Sequence, residues 1–154
     1  MVRHMRNAGW VDLSNASGTL SLPGGTVSLL GTDDAHIQRD RLVAPASSWS
    51  EPWALRLGVT HAPYTRVVSA LTSEGADLIL AGHTHGGQIG IPGMGAIITN
   101  CDIARHYAKG LNRWEAPDGS QAWLHVSAGL GTSPHAKVRI ATRPEASLIH
   151  VHPA

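Results

Sequence analysis

Three of the ten histidines, His61, His83 and His85, each follow a short apolar run. Leu55 to Thr60 leads into His61-Ala62-Pro63, and Asp77 to Ala81 leads into Gly-His-Thr-His-Gly-Gly-Gln over 82–88. Apolar runs of this length, bounded by Gly or Pro, read as buried strands, and buried strands that end in polar residues place those side chains at the carboxyl edge of a sheet. Open α/β folds bind their ligands at that edge. Three imidazoles converging there make a ligand set for Zn, Fe or Mn-type ions, because neutral imidazole suits these metals. Gly82, Gly86 and Gly87 let the backbone bend closely around whatever the rings hold.

The elements that position these residues can be read from the surrounding pattern. Ser17 to Thr32 reads as a hairpin about Pro23-Gly24-Gly25, preceded by a strand over 10–15. Residues 39–52 mix Pro, Ser and Trp49 without periodicity and read as a loop with one helical turn. After the 55–60 strand, Pro63 opens a helix to Glu74, with Val67, Val68 and Leu71 at helical spacing and Gly75 as its stop. Beyond the 77–81 strand, further strands are predicted over 89–91, 97–99, 121–127, 137–141 and 146–150. No repeat, linker or low-complexity tract interrupts the chain, so 1–154 reads as part of one domain.

Composition narrows the partners. With 154 residues and 42% hydrophobic content, about two thirds of the surface can be buried, which sets disorder aside. Phe is absent and aromatics total 5%, so Leu, Val, Ile and Ala must fill the core. The 12 basic and 11 acidic residues nearly cancel and form no run, which argues against nucleic acid as the main partner. Cys101 is the single cysteine, so no internal disulfide forms, and no stretch resembles an export signal or a membrane span. A soluble, cytoplasmic chain is the expectation, with membrane association of a longer parent left open.

The segments LRLGVTHAPY (55–64), DLILAGHTHGGQI (77–89), HVSAGLGTS (125–133) and RPEASLIHV (143–151) together resemble the C-terminal half of a calcineurin-like metallophosphoesterase. The nearest likeness is to the bacterial subgroup that carries Gly-His-Thr-His-Gly-Gly-Gln. The resemblance runs from Trp10 onward, and it implies an α/β, strand-rich fold forming half of a four-layer α/β/β/α sandwich. It also implies hydrolysis of phosphate mono- or diesters by a hydroxide held between two divalent ions, Mn, Fe or Zn. By the same likeness His61 and His83 are ligands of one metal and His85 of the other.

The likeness is incomplete. The family's upstream Asp-x-His, Gly-Asp and Gly-Asn-His motifs, which supply a bridging carboxylate, an Asn ligand and a leaving-group His, are not matched in order here. The expectation is therefore a gene fragment, a split protein or a pseudoenzyme, with a missing N-terminal half or a second copy of the chain as partner. A non-catalytic metal-binding domain and an interaction fragment are the alternatives to a phosphoesterase. Asp34-Ala35-His36, with Asp33 beside it, formally repeats Asp-x-His, but its place in the order favours a loop-capping role. His4, His106, His125, His135, His150 and His152 lack ligand spacing. Arg105 and Lys109 read as solvated, Asn15-Ala16-Ser17 as a chance sequon, and Gly129-Leu130-Gly131 as no dinucleotide loop. Trp49 and Trp53 are expected to pack on a neighbouring loop rather than to line a cleft.

Overall fold

A computed structural model describes residues 2–42, 49, 55–133 and 137–152. Its elements in chain order are α1 (Val2–Asn7), β1 (Ala16–Leu22), β2 (Gly25–Gly31), β3 (Leu55–Val59), α2 (Thr65–Ser73), β4 (Leu78–Ala81), β5 (Gly90–Ile91), β6 (Gly95–Ala96), β7 (Gly110–Glu115) and β8 (Gln121–Val126), with short 3-10 turns at 35–37, 85–87 and 105–107. Six strands form one sheet in the order β1-β2-β3-β4-β8-β7, and β5 pairs with β6 as a separate ribbon. The inner four strands run parallel, and an antiparallel hairpin closes each edge. The fold is thus mixed α/β and strand-rich. A four-layer stack of two sheets is not present among the described residues.

The core follows from register. Leu30, Gly58, Ile79 and Leu124 form one row across β2, β3, β4 and β8. Gly58 is the gap in that row, since a Cβ there would lie 3.2 Å from Ile79 Cγ1 and 3.3 Å from Leu71 Cδ1. Leu71 of α2 fills the space, and Val67, Val68 and Leu71 turn the buried face of that helix toward the sheet. Thr72 joins them because its hydroxyl donates to the Val68 carbonyl at 2.8 Å, which removes the cost of burying it. Trp49 enters the same core and donates its indole N–H to the Glu74 carbonyl at the end of α2. Ile79 is fully buried at the centre of the row, so Ile79→Ala is expected to cost about 2–5 kcal/mol in urea unfolding, the range for emptying a packed site. A loss below about 1 kcal/mol would mean that the row is not close-packed.

Arg56 and Asp77 fix the entry ends of β3 and β4. The Asp77 carboxylate accepts from the Arg56 backbone N–H at 2.9 Å and from its guanidinium at 3.2 and 2.8 Å. The opposite, carboxyl ends therefore come out level: Thr32 N–H donates to the Val59 carbonyl, Thr60 N–H to Leu80, Gly82 N–H to His61 and Ser127 N–H to Ala81.

Several predicted elements are corrected. Residues 10–15 form no strand and end in a turn; β1 begins at Ala16, one residue before the expected hairpin start at Ser17. The hairpin turn narrows to Pro23-Gly24, with Gly25 already paired to Leu22. No strand forms over 97–99; the local pairing is β5 with β6 instead. Segments 137–141 and 146–150 are not strands either, apart from a bridge between Ile89 and Ile140. Most of the 39–52 loop and Trp53 lie outside the described residues. No helix among the described residues is long and apolar enough to cross a membrane.

Candidate functional site

His61 and His83 stand just beyond adjacent parallel strands, at the carboxyl edge of the sheet. The His83 Nδ1 and His61 Nε2 atoms face each other at 3.2 Å, with the rings edge-to-face. On its other side His83 Nε2 lies 3.1 Å from the Asn100 backbone carbonyl, an acceptor, and 3.4 Å from the Asn100 side-chain Nδ2, a donor. The tautomer in which Nε2 donates to the carbonyl is the one that leaves Nδ1 a lone pair for a metal. Two nitrogens at about 2.0–2.1 Å from one tetrahedral ion are roughly 3.3 Å apart, so this pair fits one edge of such a site. Burial holds the His83 imidazole below its ordinary proton affinity, with the charges of His61 and His36 adding to the effect against the Asn100 carbonyl. The neutral form, the one that ligates, is favoured.

His85 is two residues on but does not join that pair in ring contact. His83 and His85 both have left-handed backbone, φ 66° and 50°. The glycines are required here: a Cβ on Gly87 would fall 2.2 Å from Ala96 Cβ, and Gly86 has φ 65°. Thr84 holds the turn from within, donating its hydroxyl to the Ala108 carbonyl and accepting from Gly86 N–H. Burial, and next the nearby Arg139 charge, lower the proton affinity of His85, while the Gly131 carbonyl acts the other way. Among the described residues no three His, Cys, Asp or Glu side chains are grouped closely enough to hold one ion. The chain thus presents a matched pair of nitrogens and a separate third imidazole.

The ring that does pack on His83 is His36, at 4.6 Å between centroids. Tyr64 Oη lies 3.0 Å from His36 Nδ1 and fixes that ring. The Asp-x-His reading concealed this, because it weighed His36 by its order in the chain and not by the side-by-side pairing of β2 and β3. The carboxylates of the same motif are committed locally. Asp34 caps its 3-10 turn by accepting from His36 N–H, and Asp33 accepts from Asp34 N–H and pairs with Arg39. Asn15 ties the loop down through Asp33 N–H, Arg41 N–H and the Arg39 carbonyl.

Beside His36 lies a polar pocket lined by Ala35, Gln38, Asp40, Tyr64 and Arg66. Arg66 forks onto Asp40, and this hydrogen bond, against the effect of burial, holds the Asp40 carboxyl below its usual range. The stabilisation is complete above the ordinary carboxylate pKa of about 3.9 and is lost as pH falls through the lower folded value. Arg66 is half exposed, so the pair contributes no more than about 1 kcal/mol. The stability gap between the native chain and Asp40→Asn should therefore shrink from pH 5 to pH 3, measured by urea midpoints. A constant gap would remove the ion pair as its cause.

The remaining candidates are dispersed. Arg105, His106 and Lys109 are exposed, and so are His4, His150 and His152; His135 lies outside the described residues. His125 is buried on β8 with its Nε2 unpartnered among the described residues. Gly129 and Gly131 form part of a loop clasped by Arg139.

No family model and no solved structure matches the chain. Among curated proteins, it is 29% identical over 147 residues to Phosphodiesterase YaeI of Escherichia coli (strain K12), covering 96% of this chain and 49% of the relative. It is 27% identical over 145 residues to the uncharacterized metallophosphoesterase YkoQ of Bacillus subtilis (strain 168), covering 93% and 50%. An 81-residue stretch, 53% of this chain, is 35% identical to 30% of the uncharacterized protein YpbG of the same bacterium. The chain spans about half the length of the first two relatives. Likeness across nearly its whole length to proteins named phosphodiesterase and metallophosphoesterase supports the resemblance to the calcineurin-like metallophosphoesterases.

Proposed function

We propose that this chain supplies the histidine half of a two-metal site for hydrolysis of phosphate mono- or diesters, as the C-terminal part of a single phosphoesterase domain built as a four-layer sandwich. The observation that carries the reading is the His61 Nε2 to His83 Nδ1 approach of 3.2 Å, with the far nitrogen of His83 held by the Asn100 carbonyl. Names of relatives that include phosphodiesterase and metallophosphoesterase support the reaction class and its need for divalent metal. In this reading His61 and His83 hold one ion and His85 holds the other, Mn, Fe or Zn. When bound, such a pair acidifies an attacking water and neutralises charge on the phosphoryl oxygens.

The chain's own residues then have defined tasks. The Asn100 carbonyl is placed to take an Nε2–H from His83, the tautomer that leaves Nδ1 for the ion. The crowded glycine turn fixes the backbone at His85, the residue assigned to the other ion. His36 and Tyr64 wall the site on the side of the Arg66–Asp40 pocket, where the alcohol part of the ester would lie. A zinc titration followed through the histidine ring signals tests the assignment: those of His61 and His83 should shift together at the first equivalent. If both stay fixed at saturating zinc, the reading fails.

A further inference from the structure

The ribbon that leaves the His85 turn is apolar where water surrounds it. After Gln88 the chain reads Ile-Gly-Ile-Pro-Gly-Met-Gly-Ala-Ile-Ile over 89–98, without a charged side chain. β5 and β6 pair Ile91 with Gly95, and the Met94 N–H closes the tip onto the Ile91 carbonyl at 3.0 Å. Gly93 and Gly95 flank Met94 with φ 81° and 84°, a backbone that glycine adopts readily and other residues do not. Met94 is left 78% exposed at the tip, and Ile91 and Ile98 are exposed on the same ribbon. Two further segments add to it. Ile140 bridges to Ile89 and accepts from Gly90 N–H, and the guanidinium of the preceding Arg139 donates to the Ala128, Gly129 and Gly131 carbonyls. Val138 and Ile140 on the first segment are exposed, and so is Leu130 on the second, at 72%. Exposed apolar surface gathered in one place marks a site of interaction.

The charges around this ribbon are nearly all of one sign. Residues 86–110 and 137–143 carry Arg105, Lys109, Lys137, Arg139 and Arg143 against a single acidic residue, Asp102, whose carboxylate accepts from Thr65 N–H. Arg105 sits on the turn that packs against β6, and the Lys109 stem lies against Gly86, where an added Cβ would meet its Cδ at 3.5 Å. Arg105, Lys109, Lys137 and Arg143 are exposed, and none of them pairs with a carboxylate among the described residues. Interfaces between proteins are depleted in lysine. An apolar tip flanked by Lys and Arg instead matches an anionic bilayer, with the apolar residues at the acyl boundary and the cations among the headgroups. We propose that the β5–β6 ribbon and the basic residues around it are a membrane-docking surface, with Met94 at the tip entering a bilayer of anionic phospholipid. Docking in this way holds the adjoining His85 turn near the headgroup layer. The inference goes beyond the proposed function, because docking needs neither metal nor hydrolysis, and either can fail without the other.

The test is co-sedimentation of the whole chain, free of metal, with vesicles of phosphatidylcholine alone or with one third phosphatidylglycerol. Wild type should bind the anionic vesicles at least about tenfold more tightly than the neutral ones, since each Lys or Arg near such a surface adds roughly fivefold. Met94→Asp should lose about tenfold or more on the anionic vesicles, because the tip then has no apolar side chain of that size to take out of water. Met94→Leu should keep wild-type binding, and circular dichroism should show both variants folded. Lys137→Glu/Arg143→Glu should lose at least about twentyfold on anionic vesicles and little on neutral ones, and added salt should weaken wild type in the same direction. Failure of wild type to bind either vesicle overturns the proposal. Unchanged binding of Met94→Asp also overturns it, because the surface is then electrostatic alone with no inserted tip. Light scattering covers the other occupant: a wild-type dimer that Met94→Asp makes monomeric, with no binding to vesicles, assigns the ribbon to a second copy and overturns membrane docking.

Discussion

Joined to upstream polypeptide that carries Asp-x-His, Gly-Asp and Gly-Asn-His, the chain is expected to hydrolyse an aryl phosphodiester in saturating Mn at least about a hundredfold faster than it does alone. The argument is electrostatic. Two unit charges 4 Å apart repel by about 4 kcal/mol at an effective dielectric of 20, so two dications at that distance repel by roughly 16 kcal/mol. Neutral imidazoles do nothing to offset this, and His61, His83 and His85 are the only ligands the proposed site draws from this chain. The nearby carboxylates are not spare, since Asp34 caps the turn at His36 and Asp33 is bound to Arg39 and to Asp34 N–H. A bridging anionic ligand must come from elsewhere, and losing even one catalytic electrostatic element typically costs 10²–10³ in rate. Equal rates for the two proteins would show that the chain has rebuilt its own site. Asp33, Asp34 and His36 would then be the first residues to substitute.

The strands that carry the site were legible because they are the buried ones. β3, β4 and β8 are short apolar runs that end in polar residues, and that pattern locates His61 and His83 at one sheet edge without any structure. β7 was missed for the opposite reason: along Gly110–Glu115 only Trp114 is buried, so no apolar period marks it. Segments 137–141 and 146–150 have strand-like composition but pair with no strand among the described residues. At 137–141 the backbone instead straps the His85 turn, with Ile140 bridging to Ile89 alone. Propensity records what a residue tolerates, and pairing is decided by what lies beside it. The same limit applies to the site. Spacing of two placed His85 with His83, yet the rings that pack on His83 are those of His36 and His61. His36 and Arg139 reach the site from 25 residues before His61 and 54 after His85, distances that no local pattern spans.

Removing either His61 or His83 is expected to weaken the first zinc ion by at least about a hundredfold, because loss of an outer hydrogen-bond partner alone costs 10–100-fold and these two are direct ligands in the proposed site. Their coupling gives the stronger test. With Nε2 and Nδ1 only 3.2 Å apart, the pair forms one edge of one coordination shell, so the second substitution has little left to remove. The double variant His61→Ala/His83→Ala should therefore lose much less than the product of the single losses, as expected for residues that act as a unit. His85→Ala should leave the first ion's affinity within a few-fold, because the proposed site assigns it to the other ion. Combined with His83→Ala, it should abolish tight binding of both ions. Competition against a chromophoric chelator reads each affinity directly. Unchanged zinc affinity in the His61/His83 double variant would move the site elsewhere on the chain, and the exposed His150–His152 pair, with rings 6.4 Å apart, would be the place to look.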